Sequence, residues 1–412
     1  MKFLHVADLH LGYRQYGLAE RLHDFDEVFL YIVEKAIEHK VDFVLLAGDL
    51  FDKRTIEPSV LGVALRGLQR LHDYDIPVLA VEGNHERAYY REQMSWMQFL
   101  DSQHYLRLLN PHFENGRAVL SSRESYVDLP GDVRVYGINY YGASTDDVFA
   151  QVSDDLRKNS GESNESSRFT ILMAHAGLEG QVPQASGMVS QATLDLFAER
   201  VDYIALGHIH KPYIVDGWIH NPGSPETCNI EETEWLERGY FLVELTPDGI
   251  SSYQTELIAP PRRPFYRLRL EVDSLISPDY VYDAVAELVR NENVVCDPRP
   301  VVELVLIGIL PFNRADLDLG TIKASLDDAW SPLMSSVRNL STSADFQIDV
   351  DTEASRPELE RSIIRRLLEQ DARFQPNAEA WASVAIEIKS LSLQKAPDSA
   401  IVNVLRHAMK EE

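Results

Sequence analysis

One stretch near the amino terminus decides the fold: FLHVADLHLG, residues 3–12. Its first part, Phe3 to Ala7, is a short apolar run of the length and composition of a strand that is buried on both faces. The run leads directly into two side chains that bind metal ions well, Asp8 and His10. In open α/β sheets, sites form outside the carboxyl ends of the strands. The stretch therefore predicts a strand of such a sheet that ends in a site.

Four further segments repeat this arrangement. Their apolar runs are Val41 to Ala47, Val78 to Val81, Phe169 to Met173 and Tyr203 to Leu206. The polar segments that follow are GDLFD at 48–52, GNHE at 83–86, AHAG at 174–177 and GHIH at 207–210. Because helix-like stretches separate the runs, the pattern predicts a layered α/β sheet with all five polar segments at one edge.

The polar segments carry the donor atoms of a two-metal site. Carboxylate, amide and imidazole ligands mixed in one site suit Mn²⁺, Fe or Zn²⁺ better than Mg²⁺ or Ca²⁺. Asp49, directly after Gly48 at a strand end, is predicted to bridge the two ions. The other predicted ligands form two sets, Asp8, His10 and His210 for one ion and Asn84, His175 and His208 for the second.

Such a site points to hydrolysis of a phosphate ester. Ions roughly 3.5–4 Å apart would bind the phosphate oxygens and lower the pKa of a water that attacks in line. A protonated His85 is predicted to stabilise the transition state or protonate the leaving oxygen. Asp52 and Glu86 are predicted to fix imidazole tautomers. The candidates for phosphate contact are Lys53, Arg54, Arg87 and Arg91.

Composition limits the classes of protein. The chain has 412 residues, 45% hydrophobic and 25% charged, which is typical of a globular protein with two or three domains. A net charge of −26 argues against a protein that coats nucleic acid by general electrostatics, although bound cations would reverse the local field. Asp8 and His10 interrupt the apolar start, so we expect neither a signal peptide nor a membrane span. Only Cys228 and Cys296 are present, which predicts no disulfide framework and a cytoplasmic location.

The first predicted region, 1–258, holds all the metal motifs. It has later strands predicted at Tyr213 to His220, Tyr240 to Leu245 and Ser252 to Ile258, and a polar loop predicted at Ser153 to Arg168. A proline-rich linker follows at 259–264.

Two smaller regions follow the linker. In the second, 265–350, strands are predicted at Tyr266 to Val272, Val301 to Ile307 and Phe346 to Val350, and helices at Tyr280 to Val289 and Asp316 to Trp330. This pattern predicts a small α/β domain. The third, 356–412, is a run of amphipathic helices whose apolar faces are marked by Leu359, Trp381 and Ile401.

The five motifs resemble those of the calcineurin-like metallophosphoesterase superfamily. FLHVADLHLG, AGDLFD at 47–52 and NPGSP at 221–225 are similar to its SbcD-type DNA double-strand-break repair nuclease branch, which is related to archaeal and eukaryotic meiotic-recombination nucleases. The resemblance covers the first region well and the second weakly. It implies an α/β fold: a layered metallophosphoesterase β-sandwich flanked by helices, then a small α/β capping domain at 265–350 and C-terminal helices.

The resemblance also implies an activity and partners. The implied enzyme uses two divalent metal ions, Mn²⁺, and is a 3′–5′ double-strand exonuclease and a single-strand or structure-directed endonuclease acting on DNA. Members of the branch are homodimers bound to an SbcC-type coiled-coil ABC ATPase. The capping domain would bind DNA, and the helices of 356–412 would dock on the ATPase. Dimer contacts are expected around Leu61 to Leu71 and Tyr90 to Leu100.

One departure from the branch concerns Asp52. Archaeal and eukaryotic members often have His at this position, whereas bacterial members commonly have Asp. A role of that His in positioning the phosphodiester is therefore not carried over to this chain.

Alternatives remain open from the sequence. The same metal centre would serve a phosphodiesterase or phosphatase acting on a smaller nucleotide or a phosphoprotein. Ser/Thr phosphatases usually have Asp-Arg-Gly after the bridging Asp, whereas this chain has Asp52-Lys53-Arg54. The C-terminal helices either dock on a partner or pack on their own chain, and the Met and aromatic cluster at 94–99 is either core or dimer interface. A scaffold that has lost its metals would lack ligands, and none is missing.

Overall fold

In a computed structural model of the chain, the residues described are 1–88, 93–120, 122–159, 168–183, 185–235, 237–246, 253–343, 356–369, 373–394 and 396–408. The chain divides into two compact units. The first comprises 1–267, 294–302 and 332–334, and the second comprises 268–293, 303–331 and 335–412. The predicted region boundaries at 258, 265 and 356 remain predictions.

Short strands build most of the first unit. In chain order they are β1 Lys2–Val6, β2 Phe43–Leu46, β3 Val78–Ala80, β4 Arg107–Leu108, β5 His112–Glu114, β6 Arg117–Val119, β7 Tyr126–Leu129, β8 Val133–Ile138, β9 Phe169–Ala174, β10 Gly177–Leu178, β11 Met188–Val189, β12 Tyr203–Leu206, β13 Tyr213–Val215, β14 Ile219–Asn221, β15 Tyr240–Leu245 and β16 Tyr253–Ile258. The α-helices of this unit are α1 Ala19–Glu38, α2 Pro58–Asp73, α3 Trp96–Ser102, α4 Thr145–Asn159 and α5 Gln191–Asp195. Short 3-10 helices lie at Gln15–Gly17, Gly142–Ser144 and Ile230–Glu234.

Two six-stranded sheets form the centre of this unit. The first has the order β16-β15-β1-β2-β3-β4, and the second has the order β13-β14-β12-β9-β8-β7. Strands β1 to β4 pair in parallel, as do β8, β9, β12 and β14. The edge strands β16, β13 and β7 pair antiparallel with their neighbours. Parallel pairing brings the carboxyl ends of the central strands to one edge of each sheet.

The sheets pack face to face because their strands are apolar on both sides. In β2, Phe43 and Leu45 belong to a buried cluster shared with β9 and β12, while Val44 and Leu46 pack in a cluster with α1 and α2. A third cluster covers the outer face of the second sheet with α4 and α5. The unit is therefore a four-layer α/β/β/α sandwich, which confirms the predicted fold class. Burial of each such side chain contributes about 1.5–3 kcal/mol.

Two local predictions in this unit were wrong. The segment from Tyr213 to His220 is not one strand but an antiparallel hairpin, with Asp216 (φ 52°) and Gly217 (φ 75°) in its turn. Asp-Gly is a common pair in tight hairpin turns because it tolerates positive φ. The predicted loop at 153–168 is helical through Asn159, since Val152 and Leu156 extend the buried stripe of α4. Its residues 160–167 lie outside the described part of the chain.

The second unit contains two helices and most of a small sheet. Its elements are β17 Phe265–Glu271, α6 Pro278–Asn291, β18 Val301–Ile307, β19 Ile309–Leu310, α7 Leu319–Trp330, β20 Met334–Asn339 and β21 Thr342–Ser343. The sheet order is β17-β18-β20, and β19 pairs with β21. Helix α7 begins three residues later than predicted, after Asp318, whose carboxylate accepts a hydrogen bond from Gly320 N at 2.9 Å. The strand predicted at 346–350 lies outside the described residues.

Three helices follow: α8 Arg356–Glu369, α9 Ala378–Leu393 and α10 Asp398–Ala408. Helix α9 contacts both α8 and α10. Ala378 and Ala382 of α9 are buried, whereas several larger apolar side chains of the three helices remain exposed. Within the described residues, no helix is both long and apolar enough to span a membrane.

Candidate metal centre

The site lies where the central strands end, and its backbone is unusual there. Asp8, His10, Asp49 and His208 all have positive φ, at 54°, 49°, 53° and 78°. Residues other than glycine rarely adopt this region, which costs of order 1–3 kcal/mol each and is found most often at functional sites. The turns after the strands direct these side chains into one cluster.

Two glycines permit the close approach of the loops. A Cβ atom on Gly83 would lie 1.9 Å from Asp49 Oδ1, and one on Gly48 would lie 2.3 Å from His175 Nδ1. No side chain fits at either position without displacing a predicted ligand. The glycines of the GDLFD and GNHE segments are thus explained by packing.

The predicted ligands of the second ion converge closely. Asn84 Oδ1 lies 3.1 Å from His175 Nε2 and 3.0 Å from His208 Nδ1. His175 Nε2 also lies 3.3 Å from Asp49 Oδ2. Atoms that share one metal ion with bonds of about 2.0–2.2 Å are separated by similar distances.

The ligands predicted for the first ion also face one another. His10 Nε2 and His210 Nε2 are 3.1 Å apart. Donor atoms of Asp8, Asp49 and His175 all lie within 4.8 Å of one another. The Asp8 carboxylate accepts hydrogen bonds from His208 N at 3.1 and 3.0 Å and so links the two sheets.

Asp49 lies between the two sets. Its Oδ2 faces His175, and its Oδ1 accepts a hydrogen bond from His85 N at 3.0 Å. It is only 2% exposed. Its position between the sets suits the predicted bridging role.

The donor set fits divalent transition metals. Two ring nitrogens 3.1 Å apart, beside buried carboxylates, are an arrangement that a shared cation would stabilise. Buried Cys228 adds a thiol within 4.8 Å of the donor atoms of His10 and His210. Mixed nitrogen and oxygen donors suit Mn, Fe or Zn better than Mg or Ca, and a thiolate donor would suit Zn or Fe better than Mn.

Burial and mutual charge shift the pKa values of these groups. Burial lowers the pKa of His10 to about 3 and that of His208 to about 4, and it raises the pKa of Asp8 to about 6. For the pair of Asp49 and His175, attraction outweighs burial: the pKa of Asp49 falls below its usual range, and that of His175 rises to about 9. The cluster is therefore costly to keep charged without a cation.

Three of the four predicted histidine ligands are oriented by a hydrogen bond from the ring nitrogen that faces away from the other ligands. His175 Nδ1 donates to Ala47 O at 2.8 Å, and His208 Nε2 donates to Ser186 O at 2.7 Å. His210 Nδ1 donates instead to a carboxylate, Glu232 Oε1, at 2.8 Å. The sequence did not indicate Glu232, because nothing in the sequence distinguishes it from the neighbouring glutamates Glu231 and Glu234.

Asp52 and Glu86, the two carboxylates predicted to orient imidazole rings, have different neighbours. Asp52 Oδ1 lies 3.8 Å from His10 Nδ1, and the backbone oxygen of Asp52 accepts from His85 Nδ1 at 2.6 Å. Glu86, expected to hold an imidazole, instead accepts hydrogen bonds from backbone amides. The donors are Asp49 N at 3.2 Å, Phe51 N at 3.0 Å and Gly83 N at 3.1 Å. It ties two ligand loops together, and burial raises its pKa to about 8.

The basic candidates for phosphate contact differ in exposure. Lys53 and Arg87 are exposed, Arg54 is partly buried, and Arg91 lies outside the described residues. Arg87 lines a cavity that also includes Asn139 and Tyr140.

Tyr140 forms a wall of the site that the sequence did not suggest. Its ring centroid is 5.1 Å from that of His208, and its hydroxyl lies 2.7 Å from Ser186 Oγ. It was missed because it follows the apolar strand β8, which has no metal-binding motif at its end.

A family model for calcineurin-like phosphoesterases matches residues 1–212, the part of the chain that carries all seven predicted ligands. The chain belongs to this family. The predicted superfamily is confirmed, and the ligand assignments within it remain predictions.

Curated relatives named Mre11 support the SbcD/Mre11 family for this phosphoesterase. DNA double-strand break repair protein Mre11 of Aeropyrum pernix is 30% identical over 76% of this chain and 75% of its own length. The protein of the same name from Archaeoglobus fulgidus is 31% identical over 67% of this chain. The match spans 62% of that relative, less than two thirds of its length.

The phosphoesterase also resembles a solved structure, calcineurin-like phosphoesterase YfkN from Bacillus subtilis. The identity is 14%, the match covers 71% of this chain and 97% of the solved chain, and the TM-score is 0.38.

Proposed function

We propose that this chain is a Mn²⁺-dependent nuclease that hydrolyses phosphodiester bonds at DNA ends in double-strand-break repair, as a 3′–5′ exonuclease and an endonuclease. The convergence of the six other predicted ligands around Asp49 carries the proposal. The similarity to curated double-strand break repair proteins supports DNA as the substrate. The low cysteine count fits a cytoplasmic location.

The ligand residues would hold two divalent ions. Asp8, His10 and His210 would bind one, Asn84, His175 and His208 the other, and Asp49 both. When bound, the ions supply positive charge to the phosphate oxygens and activate a water molecule for in-line attack.

His85 is proposed as the catalytic residue outside the ligand set. Its Nδ1 donates to Asp52 O, which leaves Nε2 free to act, and Nε2 lies 4.0 Å from Asp49 Oδ2. The side chain is 38% exposed, so a substrate can reach it. From this position it would stabilise the transition state or donate a proton to the leaving oxygen.

Phosphate contacts are proposed for the basic residues near the site. Lys53 and Arg87 are exposed, as a contact with a polyanion requires. Because the net charge of the chain is −26, the chain as a whole repels DNA. Binding of DNA would therefore depend on such local cations, on the predicted capping domain and on a partner.

A partner is proposed for the C-terminal helices. Leu367 is 49% exposed, Leu393 75% and Val402 46%, although all three are apolar. Exposed apolar side chains on amphipathic helices suit docking on another protein. We propose an SbcC-type coiled-coil ABC ATPase as that partner.

We also propose that the chain forms a homodimer. Its proposed contacts are residues 61–71, which lie in helix α2, and residues 90–100, of which 93–100 are described. Met94 is 51% exposed, as an interface residue would be, whereas Met97 and Leu100 are fully buried in the core. The segment therefore contributes to the core as well.

The proposed function is tested by incubating the full chain with Mn²⁺ and end-labelled duplex DNA, beside a chromogenic phosphodiester and a phosphomonoester. We expect DNA degradation that the His85→Ala variant loses while keeping its bound Mn²⁺. His23→Ala, a substitution on the exposed face of α1, is the matched control and should cut normally. Cleavage of the small diester alone, even with the ATPase added, would favour the alternative of a smaller phosphodiester substrate.

A further inference from the structure

Glu232 occupies a position behind the proposed first metal ion. It lies in the 3-10 helix Ile230–Glu234 and is 6% exposed. Its Oε1 accepts from His210 Nδ1 at 2.8 Å, and its Oε2 accepts from Cys228 N at 2.9 Å. Both carboxylate oxygens of Glu232 therefore accept hydrogen bonds in the interior of the first unit.

Arg238 holds this carboxylate in place. Its Nη1 donates to Glu232 Oε2 at 2.5 Å, and its Nη2 donates to the backbone oxygen of Glu232 at 2.9 Å. Arg238 is 1% exposed, so the ion pair is screened little by water. Both the side chain and the backbone of Glu232 are thus immobilised.

The contact decides which nitrogen of His210 carries the proton. A carboxylate only accepts hydrogen bonds, so Nδ1 must be the protonated nitrogen. In the neutral ring that binds a metal ion, Nε2 then keeps its lone pair, and this atom faces His10 Nε2 at 3.1 Å. A neutral ring protonated on Nε2 instead would place a proton where the cation should bind.

The second ring nitrogens of His175 and His208 have a different kind of hydrogen-bond acceptor. His175 and His208 donate to the neutral backbone oxygens of Ala47 and Ser186. A carboxylate partner increases the basicity of an imidazole ligand more than a neutral oxygen does, and loss of such a partner typically costs 10–100-fold in metal affinity. Among these three histidines, only His210, a predicted ligand of the first ion, would gain basicity in this way.

We propose that Glu232 is a positioning residue that holds His210 with its proton on Nδ1 and so presents Nε2 to the first metal ion. This inference rests on the proposed function in so far as His210 is a metal ligand. It adds a residue to the site that no metal-binding motif marked.

Titration of the metal-free full chain with Mn²⁺ tests the proposal without any DNA. We expect the wild type to bind two ions and Glu232→Gln to lose about 10- to 100-fold in affinity for one of them. The matched control is Glu234→Gln in the same 3-10 helix, where Glu234 is 56% exposed and lies 3.6 Å from Arg267. This control should bind both ions like the wild type.

A spectroscopic measurement distinguishes an effect of Glu232 on the His210 ring from an effect on the stability of the fold. In the Zn²⁺-loaded chain with ¹⁵N-labelled histidine, we expect the His210 proton on Nδ1. If Glu232→Gln does not fold, Glu232→Asp keeps the charge beside Arg238 but withdraws the carboxylate from the ring, and it should also weaken one site. Wild-type affinity for both ions in whichever variant folds, or a His210 proton on Nε2, would overturn the proposal.

These outcomes are distinct from failure of the nuclease proposal. A wild-type chain that binds two Mn²⁺ ions and does not cut DNA would reject the proposed substrate. Selective weakening by Glu232→Gln would still support the positioning role.

Discussion

Asp49 touches groups from both sheets. Its carboxylate lies against His175 from the second sheet and accepts a hydrogen bond from His85 N in the first. Because the same carboxylate would serve both ions, we expect Asp49→Ala to bind less metal and to lose about 10³-fold or more in hydrolysis of every substrate. Metal analysis and a phosphodiesterase assay measure the two effects.

The control for this substitution is Asp73→Ala. Asp73 is exposed at the end of α2, where its Oδ1 accepts a hydrogen bond from Gln69 Nε2 at 2.7 Å. It should leave metal content and activity unchanged. Full activity of Asp49→Ala would contradict the assignment of the site.

Gly83 provides a test of packing at the site. A Cβ atom there would lie 1.9 Å from Asp49 Oδ1, so Gly83→Ala must displace the proposed bridging carboxylate. We expect weaker Mn²⁺ binding and a stability loss of about 1–3 kcal/mol. The measurements are Mn²⁺ titration and thermal unfolding.

Gly62→Ala is the matched substitution, because its Cβ would meet nothing within 4 Å on helix α2. It should be neutral or stabilise the protein by about 0.4–1 kcal/mol. Equal metal affinity in the two glycine variants would argue against the close approach of these loops.

At the scale of elements, the central strands bring distant ligands together because they are parallel and end at the same edge. The strands themselves were predictable, since runs such as Tyr203 to Leu206 are apolar throughout and match β12 in both bounds. The hairpin β13–β14 was not predicted, although Asp216-Gly217 between two apolar runs is the usual signal of such a turn.

The C-terminal helices give a prediction at this scale. Leu367→Asp and Val402→Asp replace apolar side chains that are 49% and 46% exposed. We expect unchanged folding and hydrolysis of a small diester, but weaker binding of the proposed ATPase, because a charge is costly to bury in an interface. Pull-down with the ATPase and circular dichroism provide the measurements.

A contrasting substitution on the same helices is Ala382→Asp. Ala382 of α9 is fully buried, so a charge there should unfold the helices rather than affect binding alone. Loss of structure in the Leu367 and Val402 variants would instead show that these side chains pack on their own chain.

At the scale of the whole molecule, the site joins the two sheets of the first unit. Asp8, Asp49 and Asn84 follow strands of the first sheet, whereas His175 and His208 follow strands of the second. Metal ions bound by both sets should stabilise the folded state, by about 2.7 kcal/mol per site at a hundredfold excess over Kd. We expect EDTA to lower the Tm of the wild type and to change that of Asp49→Ala little, which calorimetry measures.

Protons should compete with metal ions for this site. In the metal-free protein the pKa of His175 is raised to about 9, so its ring is protonated at pH 6 to 8 and must release a proton when a metal binds. Affinity for Mn²⁺ should therefore rise with pH, by about tenfold per pH unit for each proton released. Titrations at pH 6, 7 and 8 measure this, and an affinity independent of pH would contradict it.

The sequence by itself determined the kinds of ligand and their positions at strand ends. Apolar runs, glycines and the residues that follow them are local features, and the carboxyl ends of parallel strands meet by geometry alone. Tertiary structure alone decided that Glu232 rather than Glu231 or Glu234 bonds His210, and that Glu86 accepts from backbone amides. The physical reason is that 22 residues separate Glu232 from His210, and such a contact depends on how the intervening loop packs in the interior rather than on any local preference of the chain.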